Sequence, residues 1–370
     1  MGMKARILGI LAILVFTVFW GMGLVFGEET KTPPSLSLKE AIDLGLRKSR
    51  TIRLAELSLK VQELQYREGK ANLLLNPSVV SELQLENTWQ RAQRNFALQR
   101  MQLALSIEEA YYNVLRAERA LSLARENLAR LEKQLEDTRT RFSLGVVAKI
   151  DVLRNELEVD RARLEVERAE RNLALSRMNL GSILGQGLEA NFTLSTDLSF
   201  EPEELDRDAC IQYALLHRPE VKEKEETLAL RQKELAVVTS YTPALEREKA
   251  RVNLEVAKEE LENTRESIIL EVEQKFSDLL AALKNVPIAR KNLEVARETL
   301  AVQQARFDAG VITLLDLLEA QNDLYRAESD YLQALFDYHI ARAKFYNALG
   351  ADLEEREKLI LRKEAGKENG

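Results

Sequence analysis

Side chains able to carry covalent or metal chemistry are scarce in this 370-residue chain. Cys210 is its one cysteine, and His217 and His339 are its two histidines. Neither an intrachain disulfide nor a zinc site of several Cys and His ligands can form from that set. No phosphate-cradling glycine loop, nucleophilic triad or clustered ligand set occurs, so the chain is not expected to be an enzyme or to hold a cofactor or metal. Carboxylates are plentiful, 60 Asp and Glu against 53 Lys and Arg for a net charge of -7. That balance repels polyanions and disfavours nucleic acid as a partner. Two places stand out by spacing. Asp316 is followed three residues on by Glu319, and Asp151 by Arg154; each Asp comes six residues after a glycine, Gly310 or Gly145. An Asp there suits the start of a helix, where unpaired amides and the helix dipole favour a carboxylate.

The two places match because the chain is duplicated. The segment from Glu108 overlays the segment from Glu273 without a gap at an offset of 165 residues. Leu115 falls on Leu280, Arg141 and Phe142 on Arg306 and Phe307, Gly145 on Gly310, Asp151 on Asp316, and Leu184 and Gly185 on Leu349 and Gly350. Glycines, aromatics and aspartates matched at one offset exceed what a Leu-, Ala-, Glu- and Arg-rich composition gives by chance. Residues 35–190 and 205–350 therefore read as two repeats, with 191–204 as connector and 351–370 as a charged tail.

Gly and Pro together number only 22, which favours long helices over a turn-rich sheet. Leu121, Ala124, Leu128, Leu131, Leu135, Thr138 and Phe142 recur at spacings of three and four, predicting one buried stripe. Val159, Ala162, Val166, Ala169, Leu173, Ser176 and Leu180 predict a matching stripe on the next helix. Rods from about Leu103 to Thr140 and from about Lys149 to Ile183 would be roughly 55 and 50 Å long. A turn holding Gly145, Val146 and Val147 in one half, and Gly310, Val311 and Ile312 in the other, folds each pair into an antiparallel hairpin. Pro287, at the repeat position of Ser122, is expected to bend its helix or shift its hydrogen bonds. Each half opens with a short helix leading into a longer one, LKEAIDLGLRKSRTI near Leu38 and LDRDACIQYALLHRPEV near Leu205.

At the amino terminus Lys4 and Arg6 precede the nearly uncharged run Ile7 to Gly27. Residues 1–27 read as an export signal cleaved after Gly27 or as an uncleaved membrane anchor. No Cys follows the run, which excludes a lipid-modified amino terminus.

Together, RFDAGVITLLDLLEAQNDLYRAESDYLQALFDYHIARAKFYNALG at Arg306 to Gly350, the related Arg141 to Gly185, SLSLKEAIDLGLRKS at Ser35 to Ser49 and RPEV at Arg218 resemble the TolC-like outer-membrane efflux proteins. The resemblance implies an all-α fold of duplicated long antiparallel hairpins that close, as a homotrimer, into a coiled-coil α-barrel. It further implies a passive duct in the periplasm and outer membrane of a diderm bacterium, served by a periplasmic adaptor and an inner-membrane RND or ABC transporter. By the same resemblance Asp316 and Glu319 line the constricted entrance as six carboxylates in a trimer, with Asp151 and Arg154 as first-repeat counterparts. Arg154 is expected to form a salt link. Gly145, Val146, Val147, Gly310, Val311 and Ile312 correspond to the tips that adaptors meet. The family's barrel strands have no room here: Asn76 to Thr88 offers a brief alternation around Leu83 and Leu85, and Val237 to Pro243 offers less, whereas a transmembrane strand needs about 9–11 residues. Little or no β-barrel is expected. A shortened member of this kind ends beneath the outer membrane, is held by its amino terminus, or relies on another protein for the last passage. Beside the duct stands a second reading, a non-conducting periplasmic coiled-coil spacer or adaptor-like protein. For Asp316 and Glu319 the plain alternative is a capping Asp followed by a solvated Glu.

Overall fold

A computed structural model describes residues 35–187, 192–195, 198–202, 205–238 and 242–351. Residues 1–27, most of the tail and part of the connector lie outside the described residues. Ser35, Phe192 and Thr193 group with the leading residues as a unit of their own, and the remaining described residues form the body.

The described residues form eight helices and two two-residue strands, β1 (Ser35–Leu36) and β2 (Thr193–Leu194), which make one ladder. The first half contains α1 (Leu38–Lys48), α2 (Arg50–Leu75), α3 (Val79–Ser143) and α4 (Lys149–Ile183). The second contains α5 (Arg207–His217), α6 (Pro219–Val237), α7 (Ala244–Asp308) and α8 (Leu314–Leu349). Short side chains set the boundaries. Ser37 and Glu40 form a capping box at α1. Ser49 breaks α1 from α2 and caps the latter, its Oγ accepting from Thr51 N at 3.3 Å. In the second half Asp206 caps α5 and Pro219 opens α6, so the same short-then-long pattern is built with different residues. This is the pairing of short and longer helices that the sequence predicts.

The α3 helix is far longer than expected. It begins at Val79, not near Leu103, and spans 65 residues, roughly 100 Å. The alternation around Leu83 and Leu85 is thus helix, not strand. Contacts with α2 explain it. The Tyr66 ring stacks on Trp89 with centroids 5.7 Å apart, and its hydroxyl donates to Glu86 at 2.6 Å. Lys70 donates to Glu82 at 2.9 Å, while the Leu85 side chain fills the space beside Gly69. The α7 helix also spans 65 residues and continues through Pro287. The α4 helix has the bounds expected for it.

Packing orders the long helices α4, α3, α8, α7, with the substantial contacts of α4 confined to α3. The second half's core joins Val221, Leu261, Ile268, Val272 and Leu279 to Leu335, Tyr338, Phe345 and Tyr346. A second cluster, Leu131, Leu135, Val152, Val159, Phe307, Leu314, Leu317 and Leu318, unites both hairpins near their glycine turns. Tyr111 and Tyr112 are buried and Phe276 packs against the core. The Tyr111 hydroxyl donates to Leu36 O at 2.8 Å, tying the entry of the chain to α3. Both predicted stripes lie on the packed side: the first is buried except for half-buried Leu128 and exposed Phe142, and the second is buried at Val159, Ala162 and Leu180 and half-buried between. No described helix is long and apolar enough to cross a membrane.

Candidate functional site at the glycine turns

Each long hairpin reverses through the same backbone motif. Gly145 (φ 74) donates to Phe142 O and Val146 to Arg141 O, both at 2.9 Å; Gly310 (φ 73) and Val311 repeat these bonds to Phe307 O and Arg306 O at 2.9 Å. Left-handed glycine followed by this bond pair is a Schellman ending, which satisfies carbonyls the helix leaves open. Val146 and Val311 are exposed, whereas Val147 and Ile312 are half-buried, Ile312 against the shared cluster. The two turns thus offer small, open, apolar ends.

Asp316 sits three residues into the following helix cap. Its Oδ2 accepts from Thr313 N at 2.8 Å and from the Thr313 hydroxyl at 2.7 Å, while Asp316 N donates to Thr313 Oγ1 at 3.3 Å. These bonds, the hydroxyl's first and the amide's second, hold the Asp316 carboxyl below its ordinary value. Asp316 is therefore ionised at neutral pH and exposed, and only Oδ2 takes part in the cap. Glu319 lies one turn further on, also exposed. Asp151 repeats half of this arrangement, its Oδ2 accepting from Ala148 N at 3.2 Å, because Ala148 has no hydroxyl to complete it. Arg154 Nη1 lies 3.8 Å from Asp151 Oδ1, an ion pair within its own helix. The second hairpin carries two acids on this face, the first an acid already neighboured by a base.

Contacts between the hairpins use residues that the sequence reading passed over. Arg141 of α3 donates to Asp308 of α7 at 2.9 Å, and its guanidinium lies 4.7 Å from the centroid of the Phe307 ring. Phe307 is 6% exposed; its repeat equivalent Phe142 is 44% exposed. The broken repeat, Ser143 where the second half has Asp308, is the signal that could have marked this pair. Deeper in the first hairpin, buried Asn155 donates from Nδ2 to Thr138 Oγ1 at 2.6 Å, leaving its Oδ1 without a hydrogen bond. Among the described residues no group of three or more His, Cys, Asp and Glu could hold a metal ion.

Comparison with known proteins agrees with this architecture. The family model described as outer membrane efflux protein matches residues 81–186 and 244–351, over half of the chain, one stretch on each hairpin. The outer membrane protein TolC of Escherichia coli is 22% identical over 89% of this chain and 71% of its own length. A membrane protein from Pseudomonas aeruginosa has a TM-score of 0.72 at 17% identity, covering 89% of this chain and 93% of that one. The CmeC outer membrane channel of Campylobacter jejuni has a TM-score of 0.71 at 12% identity, covering 87% and 88%. Matched over both of its hairpins, and folded like these channels, the chain belongs to the outer membrane efflux protein family.

Proposed function

We propose that three copies of this chain close into a passive duct in the envelope of a diderm bacterium. In this reading residues 35–190 and 205–350 act as the two repeats, joined by 191–204. The observation that carries the reading is the unequal fate of Phe142 and Phe307. Phe307 is sealed where the first hairpin meets the second; Phe142, at the same repeat position, is left open. An equivalent contact from a neighbouring copy would seal it. The edge helices support the same idea: α4 exposes Leu153, Leu157 and Leu164, and α7 exposes Ile288, Val295 and Val302 at seven-residue spacing. Two different edges that cover one another repeat head to tail, and such an interface closes into a ring when its rotation allows.

With the ring closed, Asp316 and Glu319 would place six carboxylates around the narrow end and favour cations. Asp151 and Arg154 would contribute little net charge, being paired already. Gly145, Val146, Val147, Gly310, Val311 and Ile312 would meet a periplasmic adaptor, and an inner-membrane RND or ABC transporter would supply the driving force. The duct itself performs no chemical reaction.

Mass photometry and electron microscopy of the protein purified from the envelope test the assembly. A hollow trimer is expected; a solid or monomeric rod would favour a spacer and sink the duct. Conductance then tests the entrance: Asp316→Asn with Glu319→Gln should lower cation selectivity without changing the oligomer.

A further inference from the structure

A row of four rings crosses from α3 to α8 and ends on a backbone carbonyl at either side. Tyr111 meets Tyr112 edge to face with centroids 6.2 Å apart, Tyr112 stacks on His339 at 5.2 Å, and His339 meets Tyr338 edge to face at 5.4 Å. The Tyr111 hydroxyl donates to Leu36 O at 2.8 Å, and that same oxygen accepts from Ser195 N at 3.1 Å. The Tyr338 hydroxyl donates to Glu201 O at 2.7 Å, and Phe200 packs edge-on against the Tyr338 ring at 5.1 Å. Leu36, Ser195 and Glu201 lie outside the eight helices, so the row fastens chain from before α1 and from the connector to two long helices. Nothing in the repeat asks for an imidazole here: at the 165-residue offset the positions matching Tyr112 and His339 are Ser277 and Ala174. Of the four rings, only that of His339 changes charge between neutral and mildly acid pH.

We propose that His339 is the acid-sensitive pin of a latch: a proton taken up there parts the row, and the chain around Leu36, Ser195 and Glu201 comes away while the long hairpins stay folded. In the closed row both ring nitrogens are buried without a hydrogen bond. An imidazolium there would bring a charge and two N–H donors with no acceptor, a cost that the tyrosine ring faces offset only in part. Arg342, nearly one turn further along α8, opposes a second positive charge. The other charged groups at this level are engaged. On α3, Arg116 donates to Asn113 at 2.9 Å and to Gln333 at 3.4 Å, Glu109 pairs with Lys344 of α8 at 3.1 Å, and buried Glu108 has a partner of its own. On α8, Asp337 accepts from Gln333 at 2.7 Å, and in the connector Glu201 takes the Ser199 hydroxyl at 3.4 Å. Burial first and Arg342 second thus hold the His339 pKa down, from 6.5 to about 4. Parting the row returns the ring to water, so the open state binds a proton across a window in which the closed state does not. Closure is therefore complete above about pH 6.5 and weakens as the pH falls toward 4. The segments yield before the helices because each hangs on one tyrosine hydroxyl, whereas α3 and α8 are packed along their length. The latch does not depend on the duct reading.

Hydrogen exchange at the Ser195 amide, whose bond to Leu36 O closes together with the Tyr111 hook, reports the latch in the protein purified from the envelope. With intrinsic exchange rates corrected for pH, the open fraction should rise roughly thirtyfold between about pH 7.5 and about pH 5. That is the ratio given by proton binding at 6.5 when open and about 4 when closed. The amides of Gly145 and Gly310, bonded to Phe142 O and Phe307 O at 2.9 Å, are the far-end controls and should not change. His339→Phe keeps a ring in the row without the proton and should leave Ser195 protected at the lower pH. His339→Leu serves the same purpose should the Phe variant fail to fold. A Ser195 amide protected equally at both pH values overturns the proposal. Acid exposure of Gly145 and Gly310 to the same degree also overturns it, because the whole chain would then be unfolding. So does a His339→Phe or His339→Leu variant as acid-sensitive as the parent, which would put the proton elsewhere.

Discussion

His339 stacks on Tyr112 with ring centroids 5.2 Å apart, is 6% exposed, and has neither ring nitrogen hydrogen-bonded. Burial first, and the nearby Arg342 charge second, lower its pKa from 6.5 to about 4. The unfolded chain takes up this proton near pH 6.5 and the folded one only near 4, so between them the unfolded state binds more protons. Stability is therefore full above about pH 6.5 and falls as the pH drops toward 4, by on the order of 3 kcal/mol. His339→Phe keeps the stack, removes no hydrogen bond and should flatten urea-unfolding stability across that window; a variant as pH-sensitive as the parent would refute the assignment. At the turns, Thr313 completes a cap that Ala148 cannot. Ala148→Thr should raise stability and Thr313→Ala lower it, each by about 1 kcal/mol, as read by thermal melting. The two acids and their glycines were legible in the sequence because caps and turns are made within a few residues. The Arg141 pair with Asp308 was not, because its partners are 167 residues apart.

At the scale of elements, two glycines with the same backbone predict different costs. Gly145 has φ 74 and nothing within 4 Å of an added Cβ, so Gly145→Ala meets only left-handed strain, about 1–2 kcal/mol. Gly185 has φ 71, and its added Cβ would overlap the Lys48 carbonyl that ends α1. Gly185→Ala should therefore lose clearly more stability in urea unfolding, and equal losses would show that α1 yields easily. Helix existence and the α4 bounds followed from periodicity. The start of α3 did not, because short apolar alternation around Leu83 and Leu85 fits strand and helix alike until Tyr66, Gly69 and Lys70 on α2 supply partners.

For the whole molecule, the exposed stripe on α7 gives the sharpest test. Val295→Glu with Val302→Glu changes residues that are 59% and 55% exposed, so the helical fold of the single chain should survive with little change in circular dichroism. If this edge meets a neighbour, the same pair should dissociate the oligomer in mass photometry by burying charge without a partner. An oligomer that persists would move the interface elsewhere.

Composition, the 165-residue repeat and the three-and-four spacing by themselves determined an all-helical chain of two hairpins with glycine turns and acid-started return helices. Those features rest on interactions within a turn or along one helix, which local sequence specifies. Tertiary structure decided which equivalent positions became unlike, with Phe307 sealed and Phe142 open, and replaced the barrel intervals by helix ends bearing Leu74, Leu75 and Leu245. Each depends on what lies across from it in space, and burial against a distant partner leaves no periodic mark in the chain.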